Sequence, residues 1–242
     1  MAVLPDGRQE ALIERRTRRL FVQSNGKPIT RRKTPNPSSA KDFRAAFVEH
    51  AKDIEHFVPY MYQDVRRKVT VGFGHFIGNE GEALRLQSRF LLKPGATPGL
   101  DLTDAIKTDF ATVRDSLVPN PTHDKFADIT LVEMSEIDAA MLLDEDVGNA
   151  LDDARRVFPA FGTYPHGAKF GILDMLFNLG RPRFENQFRR FPVAVRSRDW
   201  RTAARESHRV TDQVGEARNR IVRDWFLDAL AEEPEFVDPR AR

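Results

Sequence analysis

The sequence predicts an α+β protein, mostly α, with one small antiparallel sheet near its start. Apolar residues recur at three- and four-residue spacing over most of the chain, the mark of helices with one buried face. One short stretch, residues 60–77, switches to alternation, the mark of strands. The 242 residues are 40% hydrophobic and 10% aromatic, enough for one substantial core or a core plus an accessory segment.

Taken in order, residues 7–22 read as a short helix with Leu12, Ile13, Leu20 and Phe21 to one side. Residues 24–39 hold Gly26, Pro28, Pro35, Pro37 and the basic run Arg31-Arg32-Lys33, and read as a linker or surface arm. Residues 1–40 are therefore expected to be a basic appendage, and 41–242 the main domain. Ser38 or Ser39 can cap a helix reaching about Phe57, with Phe43, Ala46, Phe47, His50, Ile54 and Phe57 on one face. Pro59 is expected to enforce its end, because the residue before proline is pushed out of helical geometry. Val69, Val71 and Phe73 then alternate with Thr70, Gly72 and Gly74, which predicts one strand pair.

Residues 79–101 read as turn-rich. Residues 102–117 and 135–157 read as helices, the second with Ile137, Met141, Leu142, Val147, Ala150 and Leu151 inward. Residues 169–179 are nearly all apolar and predict a central buried helix. Further helices are expected around 192–196, 200–209 and 216–230.

Composition excludes several classes. No cysteine means no disulfide framework, zinc ribbon or thiol nucleophile. No apolar run approaches the roughly 20 residues that span a bilayer, and the first residues lack the apolar core of a secretory signal. The six histidines show no metal-binding spacing, so neither metal nor cofactor is expected. The formal charge of +2 hides an asymmetry: residues 104–153 hold 3 basic and 13 acidic side chains, residues 1–52 hold 12 and 5. The acidic block reads as the solvated face of packed helices. The basic ends carry few aromatics, so a stacking surface for single-stranded nucleic acid is not expected.

One segment carries chemistry, from Glu55 through Asp64 and Thr70 to Gly72, Gly74 and His75. It puts one carboxylate at a helix C-terminus, where carbonyl dipoles disfavour ionisation, and another before Arg66, Arg67 and Lys68, which favour it. One protonated and one ionised carboxyl group is what cleavage of a glycosidic bond requires. Alone, two carboxylates at this spacing are usually surface groups, Thr70 a strand residue and His75 a structural histidine bonded to backbone.

The spacing Glu, nine residues to Asp, six to Thr, then Gly-x-Gly-His resembles that of the phage-type lysozymes, muramidases that cut the glycan strand of peptidoglycan. Phe177-Asn178-Leu179-Gly180, Trp200-x-x-Ala203-Ala204 and residues 218–226 are similar to later parts of that family, so the likeness covers roughly 42–230. It departs at His56 and Arg67, where the family often has glycine, and in a longer stretch at 79–131. The resemblance implies a two-lobed lysozyme-like domain with a helical C-terminal lobe. It implies Glu55 as general acid, Asp64 as the base that deprotonates water, and Thr70 as the residue orienting that water. Phe76, Phe177 and Asn178 would line the cleft and bind sugar, although the two rings could equally be core and Asn178 a helix cap. Arg218 or Arg220 would reach back to Glu55.

Three functions remain on the sequence alone: a muramidase, a lysozyme-shaped module that binds glycan without cutting it, and an anionic-polymer binder working through the basic arm. The lack of a signal peptide implies delivery to the wall by phage-type release, as for an endolysin, or by contact-dependent secretion. In the second case the expected partners are a secretion-machine component and a cognate immunity protein. No specific nucleic-acid partner is expected.

Overall fold

The computed structural model describes residues 39–119, 121–210 and 215–233. The expected helix at 7–22 and the arm at 24–38 lie outside the described residues. The chain divides into two compact units. Among the described residues, one comprises 39–119, 121–164 and 172–187; the other comprises 165–171, 188–210 and 215–233. The described structure is mostly helical with two small antiparallel sheets.

The first unit opens with helix α1, Ala40–Ile54, capped by Ser39, whose hydroxyl oxygen accepts from the Asp42 N–H at 3.1 Å. Phe43, Phe47, His50 and Ala51 are its buried face. The helix ends at Ile54, five residues before Pro59, so Phe57 is not in it. Phe57 instead packs on Phe73 at 5.5 Å between ring centres. Three strands follow rather than one pair: β1, Val58–Gln63; β2, Val69–Gly72; and β3, His75–Phe76, in that order across the sheet. Residues 58–59 read as a helix end, but they join β1 through a bulge that lies between Val58 and Tyr62. All four residues of β2 are buried, so its alternation marks two covered faces and not a wet one.

The stretch 79–101 is more ordered than its turn residues suggest. Asn79 caps a short helix α2, Glu80–Arg85, and β4, Phe90–Leu92, pairs with β5, Val132–Met134. Helix α3, Leu102–Asp115, starts on an Asp101 cap and lies between the two strands in sequence. Two buried side chains pin it. Gln63, from β1, donates its amide to the carbonyls of Val113 (2.7 Å) and Ser116 (3.0 Å), closing the C-terminal end of α3. Asp109 is fully buried and accepts from the Leu131 N–H (2.8 Å) and the Val132 N–H (2.9 Å), fixing the start of β5. The acidic block is thus not wholly a solvated face.

Helix α4, Glu136–Val157, is capped by Ser135. Its inward residues are Ala139, Leu142, Leu143, Val147, Ala150, Leu151 and Ala154. Ile137 and Met141 were expected inward, but they are 75% and 56% exposed. The contact with β2 sets the phase, because a Cβ on Gly72 would approach Ala139 Cβ to 3.2 Å and Gly72 itself has φ +65°. Ala139 must face the sheet, and Ile137 then turns outward.

Helix α5, His166–Leu179, begins in the second unit and ends in the first. Its apolar stretch is buried as expected, with Asp174 as a buried exception facing His50 at 3.5 Å. Helix α6, Arg181–Gln187, closes the first unit, its Phe184 edge-on to Phe158.

The second unit contains α7, Phe191–Arg196; α8, Trp200–Glu206; and α9, Glu216–Glu232. The first turns of α5 lie directly against α9 through two glycines. A Cβ on Gly167 would sit 2.2 Å from the Trp225 carbonyl oxygen, and one on Gly171 2.5 Å from the Phe226 ring. Glu233, just past α9, accepts from Arg198 (2.6 Å) and the Trp200 indole (3.2 Å). No helix among the described residues is long and apolar enough to cross a membrane.

Candidate active site

Glu55 is the residue at which α1 stops. Its N–H still reaches the Ala51 carbonyl at 2.8 Å, but its own backbone is extended, with φ −87° and ψ 120°. The side chain is half-buried and lies over the β2–β3 turn, where a Cβ on Gly74 would stand 3.6 Å from Oε2. Gly74 has φ +86°, a conformation that an L-residue adopts only under strain. The helix end and the glycine turn therefore meet at the Glu55 carboxylate.

Asp64 begins the β1–β2 turn and organises it. Its N–H donates to the Lys68 carbonyl (2.9 Å), and its Oδ1 accepts from the N–H groups of both Arg66 and Lys68 (2.8 Å each). Oδ2 accepts no hydrogen bond among the described residues. Of the three basic residues that follow, Arg66 and Lys68 reach this carboxylate through backbone N–H groups, whereas the Arg67 N–H donates to the Asp64 carbonyl (2.8 Å). Lys68 Nζ sits 4.5 Å from the centre of the Phe76 ring, and Arg67 Nη1 reaches the Ser116 carbonyl at 3.5 Å.

Thr70 is buried in β2, and its hydroxyl donates to the Lys68 carbonyl at 3.1 Å. It stands opposite Tyr62 on one side and Phe76 on the other. Directly opposed residues share a face, so Tyr62, Thr70 and Phe76 form a row across the sheet. Phe76 is 49% exposed, which removes it from the core.

Tyr62 is the residue that sequence reasoning missed. Burial first, then the negative charges of Glu55 and of Asp64, push its phenol up to about 12. Both carboxylate charges thus disfavour ionisation of the same phenol. The available signal was its place two residues before Asp64, on the same side of the strand.

His75 was expected to bond backbone, but its Nδ1 lies 2.8 Å from Asp146 Oδ2 and so ties β3 to α4. Phe177 and Asn178 occupy the last turn of α5, both half-buried. The Phe177 ring meets Phe47 edge-on at 6.0 Å, a packing contact with α1. At this helix end the Gly180 N–H donates to the Leu176 carbonyl at 2.8 Å. Arg218 and Arg220 lie half-buried near the start of α9, in the second unit. Between them, Asn219 is buried and holds the Arg209 backbone, its Nδ2 donating to the Arg209 carbonyl at 2.9 Å.

Among the described residues, no group of three or more His, Asp or Glu side chains is arranged to hold a metal ion. Glu55 at a helix end and Asp64 at the head of a strand turn are residues of the type that general acid–base chemistry uses. The chain matches no known family model and no curated protein.

Proposed function

We propose that this protein is a muramidase with a lysozyme-like domain, hydrolysing the β-1,4 linkage between N-acetylmuramic acid and N-acetylglucosamine in peptidoglycan. The observation that supports this reading is that the Glu55 carboxylate, at the end of α1, lies over the Gly74 turn that follows the Thr70 strand, while Asp64 heads the turn that precedes it. Glu55 gives its proton to the leaving sugar oxygen. Asp64 Oδ2 takes a proton from water on the opposite face, giving inversion at the anomeric carbon. Thr70 has already donated its hydrogen to the Lys68 carbonyl, so it acts towards that water as an acceptor. A water that donates one hydrogen to Asp64 and the other to Thr70 keeps a lone pair for the sugar carbon.

Glu55→Gln tests the proposal. The amide keeps the shape of the side chain but has no acidic proton, and cleavage of purified peptidoglycan should fall at least about 100-fold. Reducing ends released at the wild-type rate would defeat the acid role. A glycan-binding module that does not cut remains the second reading, and there wild type and Glu55→Gln would both bind strands without releasing ends. In either case the wall is the site of action, and delivery follows phage-type release or contact-dependent secretion. An immunity protein would then be the partner that blocks the site.

A further inference from the structure

Residues 116–131 form a segment fastened against β1 at several points. Its own Phe126 is fully buried. Lys93 Nζ donates to the Ala127 carbonyl (2.5 Å) and to Thr130 Oγ1 (2.6 Å), and sits 4.7 Å from the centre of the Tyr60 ring. Thr130 passes its own hydrogen to the Phe126 carbonyl at 2.8 Å, and Lys125 Nζ donates to Pro119 O at 2.8 Å. At the head of the single 3-10 turn so held, residues His123–Phe126, the His123 ring meets the Tyr62 ring edge-on, with centres 6.3 Å apart. The His123 side chain is nevertheless 51% exposed. A half-open aromatic ring thus stands against Tyr62, the direct cross-strand partner of Thr70.

We infer that His123, together with Tyr62, forms an aromatic wall that positions one saccharide unit next to the scissile linkage, making the 116–131 segment a determinant of substrate specificity. The inference rests on the muramidase reading and goes beyond it by naming a substrate-positioning residue outside the Glu–Asp–Thr segment. A ring on a rigid mount loses little entropy on binding, and its surface complements the C–H face of a pyranose while the imidazole N–H can meet a hydroxyl. Such a contact is made in the ground state and the transition state alike, so its loss belongs in KM and not in kcat.

The test uses the full chain and soluble, uncross-linked glycan strands, with reducing ends measured over a range of strand concentration. His123→Ala should raise KM about five- to tenfold with kcat changed less than about twofold. His123→Phe, which keeps a ring, should recover most of that loss. Thermal melting of each variant checks folding, which an exposed residue changes little. Binding provides a second readout: the strand Kd of Glu55→Gln should weaken by the same factor when His123→Ala is added. An unchanged KM in His123→Ala, alongside inactive Glu55→Gln, overturns the wall and leaves the acid–base reading intact. A fall in kcat alone, or His123→Phe as weak as His123→Ala, also overturns it. Full activity in Glu55→Gln would instead overturn the underlying reading, and this inference with it.

Discussion

The Tyr62 phenol is held neutral, by burial first and then by the charges of Glu55 and Asp64. Its ordinary value of 10.0 rises to about 12 in the folded chain, so the unfolded state loses this proton first as pH increases. The native state then holds more protons than the unfolded state between those values. The stability contributed by the neutral phenol is therefore complete below pH 10 and lost as pH rises towards about 12. Tyr62→Phe should flatten that part of the profile, measured by urea unfolding across pH 9–12. A wild-type and variant pair with parallel curves would show that the phenol is not held in this way. Thr70 illustrates the same scale from the other side. Its hydroxyl hydrogen is committed to backbone, so any role towards water is as an acceptor.

At the scale of elements, two close contacts decide how helices sit. In the second unit α5 meets α9 through Gly167, where any Cβ would collide with the Trp225 carbonyl. Backbone cannot move aside as a flexible side chain can, so Gly167→Ala should cost about 3 kcal/mol or more, read as a drop in urea midpoint. In the first unit, Asp109 holds the start of β5 with two backbone N–H groups. Burial raises its carboxyl above the ordinary value, opposed by those two N–H bonds and by the charge of Lys93. Its contribution is thus fully present below the unfolded value of 3.8 and declines as pH rises through the higher folded one. Asp109→Ala leaves both N–H groups without their acceptor and should destabilise by about 2–4 kcal/mol. Limited proteolysis should then cut within residues 116–131. Resistance equal to wild type would show that Asp109 does not hold the segment.

Charge is a property of the whole molecule. Residues 1–38 carry nine basic and three acidic side chains, whereas residues 104–153 are strongly acidic. If the muramidase reading holds, residues 1–38 would add attraction to an anionic wall polymer, and salt would screen it over about 8–10 Å. Removing residues 1–38 should leave cleavage of soluble strands within about twofold of wild type. Retention on whole walls at low ionic strength should weaken, and its salt dependence should become shallower. Equal retention by both proteins at 20 mM and 200 mM salt, both values being about one decade apart in ionic strength, would remove the arm from wall binding.

The sequence by itself determined the helical class, a serine-capped helix starting near residue 40, helices starting near residues 102 and 135, the buried α5 and the order in which the two carboxylates and Thr70 arrive. These follow from short-range chemistry: cap hydrogen bonds, apolar periodicity and fixed spacing along the chain. Tertiary structure decided the rest. The outward phase of Ile137 and Met141 follows from Gly72 packing on Ala139, and the third strand from backbone pairing that periodicity does not encode. The meeting of the His123 and Tyr62 rings joins residues 61 positions apart, and the approach of Glu55 to the Gly74 turn joins a helix end to a strand turn. No local propensity specifies such distances; they are set by which buried surfaces close on one another.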